Sequence, residues 1–377
     1  MRLTEEQRQE RINVLAQCDG NLSQAAKHFG ISRQSFTASI ERDIAQGVDG
    51  HLPNGKDLPP GQYVERRTIQ FDKDGNRERE WTKVKTQFSQ TEFIESIWEA
   101  FKDVKPVPKV RKPKRSDSDL LTAYMLADQH MGMMAWAGET GENYDLKIGE
   151  KRLLAATEKL VASTPDSETG LILNLGDFYH ADNKEGRTER SGNILETDGR
   201  WDKTYVVGVN VTETMIQMAL QKHAFVEYKA IPGNHDDRSA FTLAVAMYQR
   251  FRDNPRVKIH IDSLPFFVKE FGRNMLFSTH GHQLKPLAAA GAAASFFPEV
   301  WGRTSHRHGL FGHLHHAAKG GEVNGMTWEI FQSLVSKDFY HFAHGYSAQQ
   351  SMTAITYHRD GGEETRNKYN VRWGDRS

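Results

Sequence analysis

The chain has 377 residues, with 49 Lys+Arg against 49 Asp+Glu and a pI near 7.3, so no overall field singles out a polyanion or a membrane as partner. The single cysteine, Cys18, excludes an internal disulfide framework and a thiolate metal cluster. A polar N-terminus and the lack of any apolar run of membrane-spanning length predict a cytoplasmic protein without signal peptide or anchor.

Neutrality conceals an asymmetry. Met1 to Arg115 carries 21 Lys+Arg against 17 Asp+Glu, a net of +4, which leaves −4 for the remainder. Residues 4 to 46 read as helical: Thr4 with Gln7 forms a capping box, and Ile12, Leu15 and Ala16 make an apolar stripe. Within them, Asn21 to Phe36 places small Ala25 and Ala26 where two helices meet, Phe29 and Ile31 as core, and Gly30 at the turn. Ser32 then caps a second helix that opens with Arg33, Gln34 and Ser35. This stretch resembles a Fis-type helix-turn-helix, which implies a small DNA-binding domain over residues 1–48 with Arg33, Gln34 and Ser35 near base edges. A plain helical hairpin used for dimerisation is the alternative.

Residues 49–103 predict a connector or wing. A turn-rich run, His51 to Gln62, leads into a β-hairpin in which Tyr63–Phe71 and Arg77–Phe88 flank Asp72 to Asn76. A short amphipathic helix over Thr91–Asp103 follows, built on Phe93, Ile94, Ile97, Trp98 and Phe101. Residues 104–118 read as an extended linker: Val104 to Arg115 holds six positive charges, three prolines and no acid. It either follows a phosphate backbone or is a solvated tether.

From Leu120 strands alternate with helices. Strands are predicted at 120–127, 171–175 and 225–231, helices at 146–163, 201–220 and 239–252. Then come strands at 257–261, 266–271 and 275–279, an Ala-rich helix over Pro286–Val300, and strands near Leu310, at 328–335 and at 352–358. Early βαβ units followed by antiparallel strands predict an α/β fold, a layered β-sandwich flanked by helices, over residues 119–358. The polar residues 359–377 read as a frayed tail.

Seven of the 17 histidines, His280, His282, His306, His308, His313, His315 and His316, fall within 37 positions, which suggests metal. Five stretches end strands with metal-ligand residue types. They are Asp128-Gln129-His130, Gly176-Asp177, Gly233-Asn234-His235-Asp236, His280-Gly281-His282 and Gly312-His313-Leu314-His315. In the first and last the ligands stand at i and i+2, which on a strand puts both on one face. Carboxylate, imidazole and amide donors suit Mn, Fe or Zn. Two such metals neutralise a phosphoester and make a hydroxide near neutral pH.

In order and in kind, these five stretches resemble the pattern of the calcineurin-like metallophosphoesterase superfamily over about Leu120 to His358. The resemblance implies one metal held by Asp128, His130, Asp177 and His315, and a second by Asp177, Asn234, His280 and His313, with Asp177 bridging. His235 would protonate the leaving oxygen or stabilise transition-state charge, and Asp236 would orient His235; His282 is read as a rim histidine. After Gly176-Asp177 comes Phe178-Tyr179-His180, which is similar to the SbcD-like DNA-repair nuclease branch and makes His180 a candidate for orienting the scissile phosphate. Lys184, Arg187, Arg190, Glu196 and Asp198 are expected to rim the pocket, and Arg303, His306, Arg307 and His308 are candidates for backbone phosphates.

The sequence therefore predicts a phosphodiesterase with two divalent metal ions, Mn favoured, hydrolysing DNA and recruited by its N-terminal module. The alternatives are a small-molecule or cyclic-nucleotide phosphodiesterase with a regulatory DNA-binding arm, and a DNA-binding adaptor on a structural phosphoesterase fold. DNA is the expected partner and a membrane is not. A homodimer stays open, and an SbcC-like ATPase partner is not expected because little chain follows His358. The module combination fits a phage or bacterial origin.

Overall fold

The chain divides into two compact units, Met1–Glu99 and Ala100–Ser377. The computed structural model describes residues 7, 10–11, 13–15, 18, 22–37, 62–71 and 77–86 of the first. Of the second it describes 107–188, 192–314, 319–337, 342, 345 and 349–372. The helix expected over 91–103, the turn-rich run before Gln62, the hairpin loop 72–76, Arg190, His315 and His316 lie outside the described residues.

In the first unit, α1 (Leu22–His28) ends in a turn at Phe29-Gly30, where Gly30 is left-handed with φ 63°. Residues 33–37 are helical, begun by the Ser32 hydroxyl accepting from the Ser35 N–H at 3.1 Å. Val14, Ala25, Ala26 and Phe36 close a small core, and Arg33, Gln34 and Ser35 stand exposed. Strands β1 (Gln62–Phe71) and β2 (Arg77–Thr86) pair antiparallel, as the hairpin reading predicts.

The second unit is built on two sheets. The six-stranded sheet runs β13-β12-β3-β4-β5-β6, and the five-stranded sheet β10-β11-β9-β8-β7. In the first are β3 (Asp117–Leu126), β4 (Ser167–Asn174), β5 (Phe225–Ala230), β6 (Val257–His260), β12 (Ser351–His358) and β13 (Gly362–Asn370). In the second are β7 (Phe267–Phe271), β8 (Asn274–Thr279), β9 (His306–Phe311), β10 (Lys319–Val323) and β11 (Met326–Ile330).

Strand alternation builds the layers. Leu121, Ala123 and Met125 of β3 and Leu171 and Leu173 of β4 meet Leu276 of β8, Leu310 of β9 and Phe267 of β7 between the sheets. Tyr124, Leu126 and Ile172 point the other way, onto α3 (Leu146–Ser163), α4 (Trp201–Lys222) and α5 (Asp237–Phe251). The outer face of the second sheet packs Met275, Phe277 and Phe311 against Ala289, Ala290 and Ala293 of α6 (Ala289–Phe296), which follows the single turn α2 (Ala137–Thr140) and the helices already named. The result is the layered α/β sandwich flanked by helices that the sequence predicts. Among the described residues no helix is long and apolar enough to cross a membrane.

Four expectations need correction. The later strands are not simply antiparallel, since β8, β9 and β11 pair in parallel. The Ala-rich helix breaks at Phe297 (φ −130°, ψ 52°), because a residue before proline avoids the helical region; α7 (Pro298–Arg303) starts anew. The described part of the polar stretch beyond Arg359 is not frayed: β13 pairs with β12 from His358↔Gly362 to Ser351↔Asn370, its charges facing outward as suits an edge strand. The described part of the basic linker is not a free tether. Val107 is buried and donates its N–H to Arg250 at 2.9 Å, the Val110 carbonyl accepts from Arg256, and the Lys112 ammonium lies over Phe225.

His223, which caps α4 at its C-terminal end, is fully buried, with Nε2 2.7 Å from the Tyr124 hydroxyl and Nδ1 3.0 Å from Ser167 Oγ. Burial pulls its pKa from 6.5 down to about 4. The unfolded chain therefore takes up a proton at higher pH than the folded one. This contribution is complete above pH 6.5 and is lost as pH falls toward 4, about 3 kcal/mol in all. His223→Gln should flatten the fall in unfolding free energy measured by urea titration between pH 7 and 4.5; an unchanged slope contradicts this assignment.

Candidate metal centre

The described residues of all five ligand stretches gather at one end of the sandwich, beyond the C-terminal ends of β3, β4, β5, β8 and β9. The i, i+2 rule does not bring them together. Asp128 and His130 lie past the end of β3, and His313 past β9, so strand alternation no longer applies. Instead Asp128 (φ 52°), His130 (φ 43°), Asp177 (φ 53°) and His313 (φ 72°) all adopt left-handed backbone. Apart from Asn324 they are the only non-glycine residues that do so among those described. Such strain costs on the order of 1–3 kcal/mol per residue and persists where surrounding structure enforces it, typically at functional sites.

The enforcing structure is visible. Loop 128–131 continues the pairing of its strands with loop 176–180: His130 donates to the Asp177 carbonyl at 3.0 Å, Met131 to Phe178 at 2.8 Å, and His180 to Met131 at 3.1 Å. Asp236 clamps the second loop. Its carboxylate accepts from the N–H of Asp177 (3.0 Å), Phe178 (2.7 Å), Tyr179 (3.3 Å) and Gly233 (3.0 Å). The expected role of Asp236 in orienting the His235 ring is thereby corrected: the carboxylate is spent on backbone. The His235 ring is instead held by Nδ1 facing the His180 carbonyl at 2.8 Å.

Asp177 is the shared element. Its Oδ2 stands 4.0 Å from His130 Nε2 and 3.1 Å from His280 Nε2, while Oδ1 accepts from the His235 N–H at 2.8 Å. One group able to hold a cation is Asp128, His130 and Asp177; another is Asp177, His280 and His313. Asn234 joins the second group, its Oδ1 3.1 Å from His280 Nε2. His280 Nδ1 meets the Leu175 carbonyl at 2.9 Å, so Nδ1 carries the hydrogen and Nε2 is the atom aimed at the shared carboxylate. Six of the seven predicted ligands thus converge; the seventh, His315, is outside the described residues.

Electrostatics agrees with the donor set. Burial alone would push Asp177 up, but the rings of His280, His235 and His130 hold its carboxyl well below the usual range. Burial alone would pull His280 down, but the Asp177 and Asp128 carboxylates push it up to about 10. Asp177 and His280 thus hold each other as an ion pair, while burial and the charge on His280 pull His313 down to about 4, leaving it a neutral donor; the oxygen and nitrogen donors present suit divalent cations. The residues fit the metals.

His180 is also brought to the site. It is buried, its Nδ1 is 3.0 Å from Nδ1 of His130, and its ring stacks on His235 at 5.5 Å. His282 lies beside the second group, 5.2 Å from the His280 ring. The basic residues ahead of Gly312 are not there: Arg303 pairs with Glu270, Arg307 lies over Trp301, His306 meets the Asp360 carbonyl, and His308 stands in the first half of β9, away from the ligand end of the strand. In the polar segment after His180, Lys184 pairs with Asp202 and Asp198 accepts from the Leu146 N–H.

Two supporting residues carried no sequence signal. Asp182 caps α5 from outside it, accepting from Arg238 N–H at 2.7 Å, from Ser239 N–H at 2.9 Å and from the Ser239 hydroxyl. Ser333 donates its hydroxyl to the Asp128 carbonyl, fixing the strained loop from the far side.

No protein-family model matches the chain, and no curated protein does. Among solved structures, the chain is similar to Vps29 of Chaetomium thermophilum at 12% identity and a TM-score of 0.29, covering 67% of this chain and 100% of that one. A dimetal phosphatase from Danio rerio shares 7% identity at a TM-score of 0.36, covering 68% and 100%. A 5'-nucleotidase from Candida albicans shares 10% at 0.34, covering 70% and 54%.

Proposed function

We propose that the chain is a dinuclear metal-dependent phosphodiesterase of the calcineurin-like metallophosphoesterase type, acting on DNA and recruited to it by the N-terminal helical module. The observation that carries this reading is the single carboxylate of Asp177 between two ligand groups, on a backbone strained at four ligand positions. Asp128, His130 and Asp177 would hold one ion, with His315; Asp177, Asn234, His280 and His313 would hold the other. When bound, two such ions supply Lewis acidity toward the phosphoryl oxygens and toward water.

The chain's own residues do the rest. Because His235 Nδ1 donates to the His180 carbonyl, Nε2 is the atom left to hand a proton to the departing sugar oxygen. Its ring sits 4.8 Å from that of His130 and is stacked on His180, which limits its swing. His180 thereby positions both neighbours, and contact of its own with the phosphate is part of this reading. Mn is the favoured metal on donor chemistry.

The case for DNA rests on the first unit and on Phe178-Tyr179-His180. Arg33, Gln34 and Ser35 are exposed on the first turn after the Ser32 cap, where a recognition helix presents side chains to base edges. Arg33→Ala with Gln34→Ala should weaken duplex binding about tenfold or more while leaving hydrolysis of bis-p-nitrophenyl phosphate unchanged. The test of the whole reading is metal-stripped protein on end-labelled linear and closed circular DNA, with and without Mn²⁺. Mn-dependent cutting supports it. Hydrolysis of the small diester without DNA cutting moves the substrate to a small molecule, and activity on neither overturns the reading.

A further inference from the structure

Beyond the ligand His130 the chain does not turn straight back into α3. Residues 131–136 run on at the metal end of the sandwich as an extended rim held on both sides. The Met134 N–H donates to the Glu196 carbonyl at 3.0 Å and the Asp198 N–H to the Gly132 carbonyl at 2.7 Å. Ala135 and Tyr144 exchange both of their backbone hydrogen bonds at 2.9 Å. Alternation along the rim then sorts its side chains. Met133 and Ala135 are buried with Tyr144 and Val335, while Met134 and Trp136 face the other way, 45% and 63% exposed.

A large apolar side chain alone on a surface needs no explanation, but this one is built in. The Trp136 carbonyl accepts from the N–H of Glu139 and of Thr140, both at 3.0 Å, which fixes its backbone as the start of α2. The indole lies against Gly138, where an added Cβ would stand 2.6, 2.7 and 2.8 Å from Cζ2, Cη2 and Cε2 of the ring. Nearly equal distances to three consecutive ring atoms mean contact with the face of the ring, since an approach in the ring plane would bring one atom near and leave its neighbours well behind. One face of the indole is thus seated on glycine, where any other residue would push it away. The opposite face is open to solvent.

An open aromatic face held in place binds another flat ring by stacking. Trp136 stands six positions after His130, no more than roughly 22 Å of fully extended chain, so one polynucleotide strand can set a phosphate at the metals and a base on the indole a few nucleotides away. In a duplex both faces of a base are covered by its neighbours, and exposing one costs unstacking, so the indole selects a base that is already unpaired. Charge does not make this choice. The loop that pairs with the rim exposes Arg187 and Arg200, but also Glu185 and Glu196.

We propose that Trp136, with Met134 two positions before it on the same face, is a stacking subsite for one unpaired base of a DNA strand whose phosphate lies at the metal centre. This rests on the reading of the chain as a DNA phosphodiesterase and adds to it a subsite that recognises a base face, where the metal ligands recognise only phosphate.

The experiment is competition against hydrolysis of bis-p-nitrophenyl phosphate by the Mn²⁺-loaded full-length chain, which reads occupancy of the metal centre and not of the N-terminal unit. The competitors are single-stranded oligothymidylate and an abasic strand of equal length, which has the same phosphates and no bases. The inhibition constant of oligothymidylate is expected to be about tenfold lower than that of the abasic strand. Trp136→Ala should erase the difference by weakening oligothymidylate alone, and Trp136→Phe, which keeps a ring, should retain most of it. Equal inhibition of the parent chain by the two strands leaves the exposed ring to a protein partner and overturns the proposal alone. So does a Trp136→Ala chain that keeps the difference, or one that loses affinity for both strands alike, since the ring then only supports the rim. Hydrolysis that neither strand inhibits overturns the DNA reading and this proposal with it.

Discussion

Asp177→Asn is expected to reduce bound divalent metal from two equivalents to one or fewer and to cut turnover roughly a thousandfold. The reasoning is local. Oδ2 of Asp177 is the atom that faces His130 on one side and His280 on the other, so losing its charge weakens both ligand groups together. Asparagine tolerates left-handed backbone, so the φ of 53° at this position should survive and the variant should fold. Metal analysis after dialysis, circular dichroism and hydrolysis of bis-p-nitrophenyl phosphate together separate loss of the site from loss of the fold. Two tightly held metals in the variant would remove Asp177 from the shared position.

Gly233→Ala should be nearly as damaging although glycine 233 ligates nothing. A Cβ built there falls 2.0 Å from Oδ1 of Asp177 and 2.4 Å from its backbone nitrogen. Backbone cannot yield cheaply, because Asp236 ties the Asp177 and Gly233 amides to one carboxylate oxygen. The carboxylate of Asp177 must therefore shift by about 1 Å, and the His235 N–H loses its acceptor. A displacement of that size lowers turnover roughly a hundredfold. Steady-state kinetics at saturating metal would detect it; activity within twofold of the parent chain would mean that the loops are looser than their hydrogen bonds imply.

Much of the fold was legible because its signals are periodic. α3 is found over the predicted span 146–163, where Leu146, Leu153, Ala156 and Leu160 are buried, and its Asp145 cap accepts from Ile148 N–H at 2.7 Å. β13 was missed because Glu363, Glu364, Arg366 and Lys368 leave no apolar alternation to read; pairing with β12, not burial, makes it a strand. The ligand residues were legible as residue types following strands. How they converge was not, since left-handed backbone at Asp128, His130, Asp177 and His313 is imposed by hydrogen bonds between loops distant in sequence. The same limit misassigned Asp236, whose partners are backbone amides up to 59 positions away. Asp182 and Ser333 act through contacts of the same long-range kind.

The central claim is that two metal ions, joined through Asp177, make this chain a phosphodiesterase. The direct measurement is hydrolysis of bis-p-nitrophenyl phosphate by metal-stripped protein as Mn²⁺ is added in fractions of an equivalent. The account predicts negligible activity without metal and a rise that saturates near two equivalents per chain. Full activity at one equivalent, or activity that persists in the stripped protein, would contradict it.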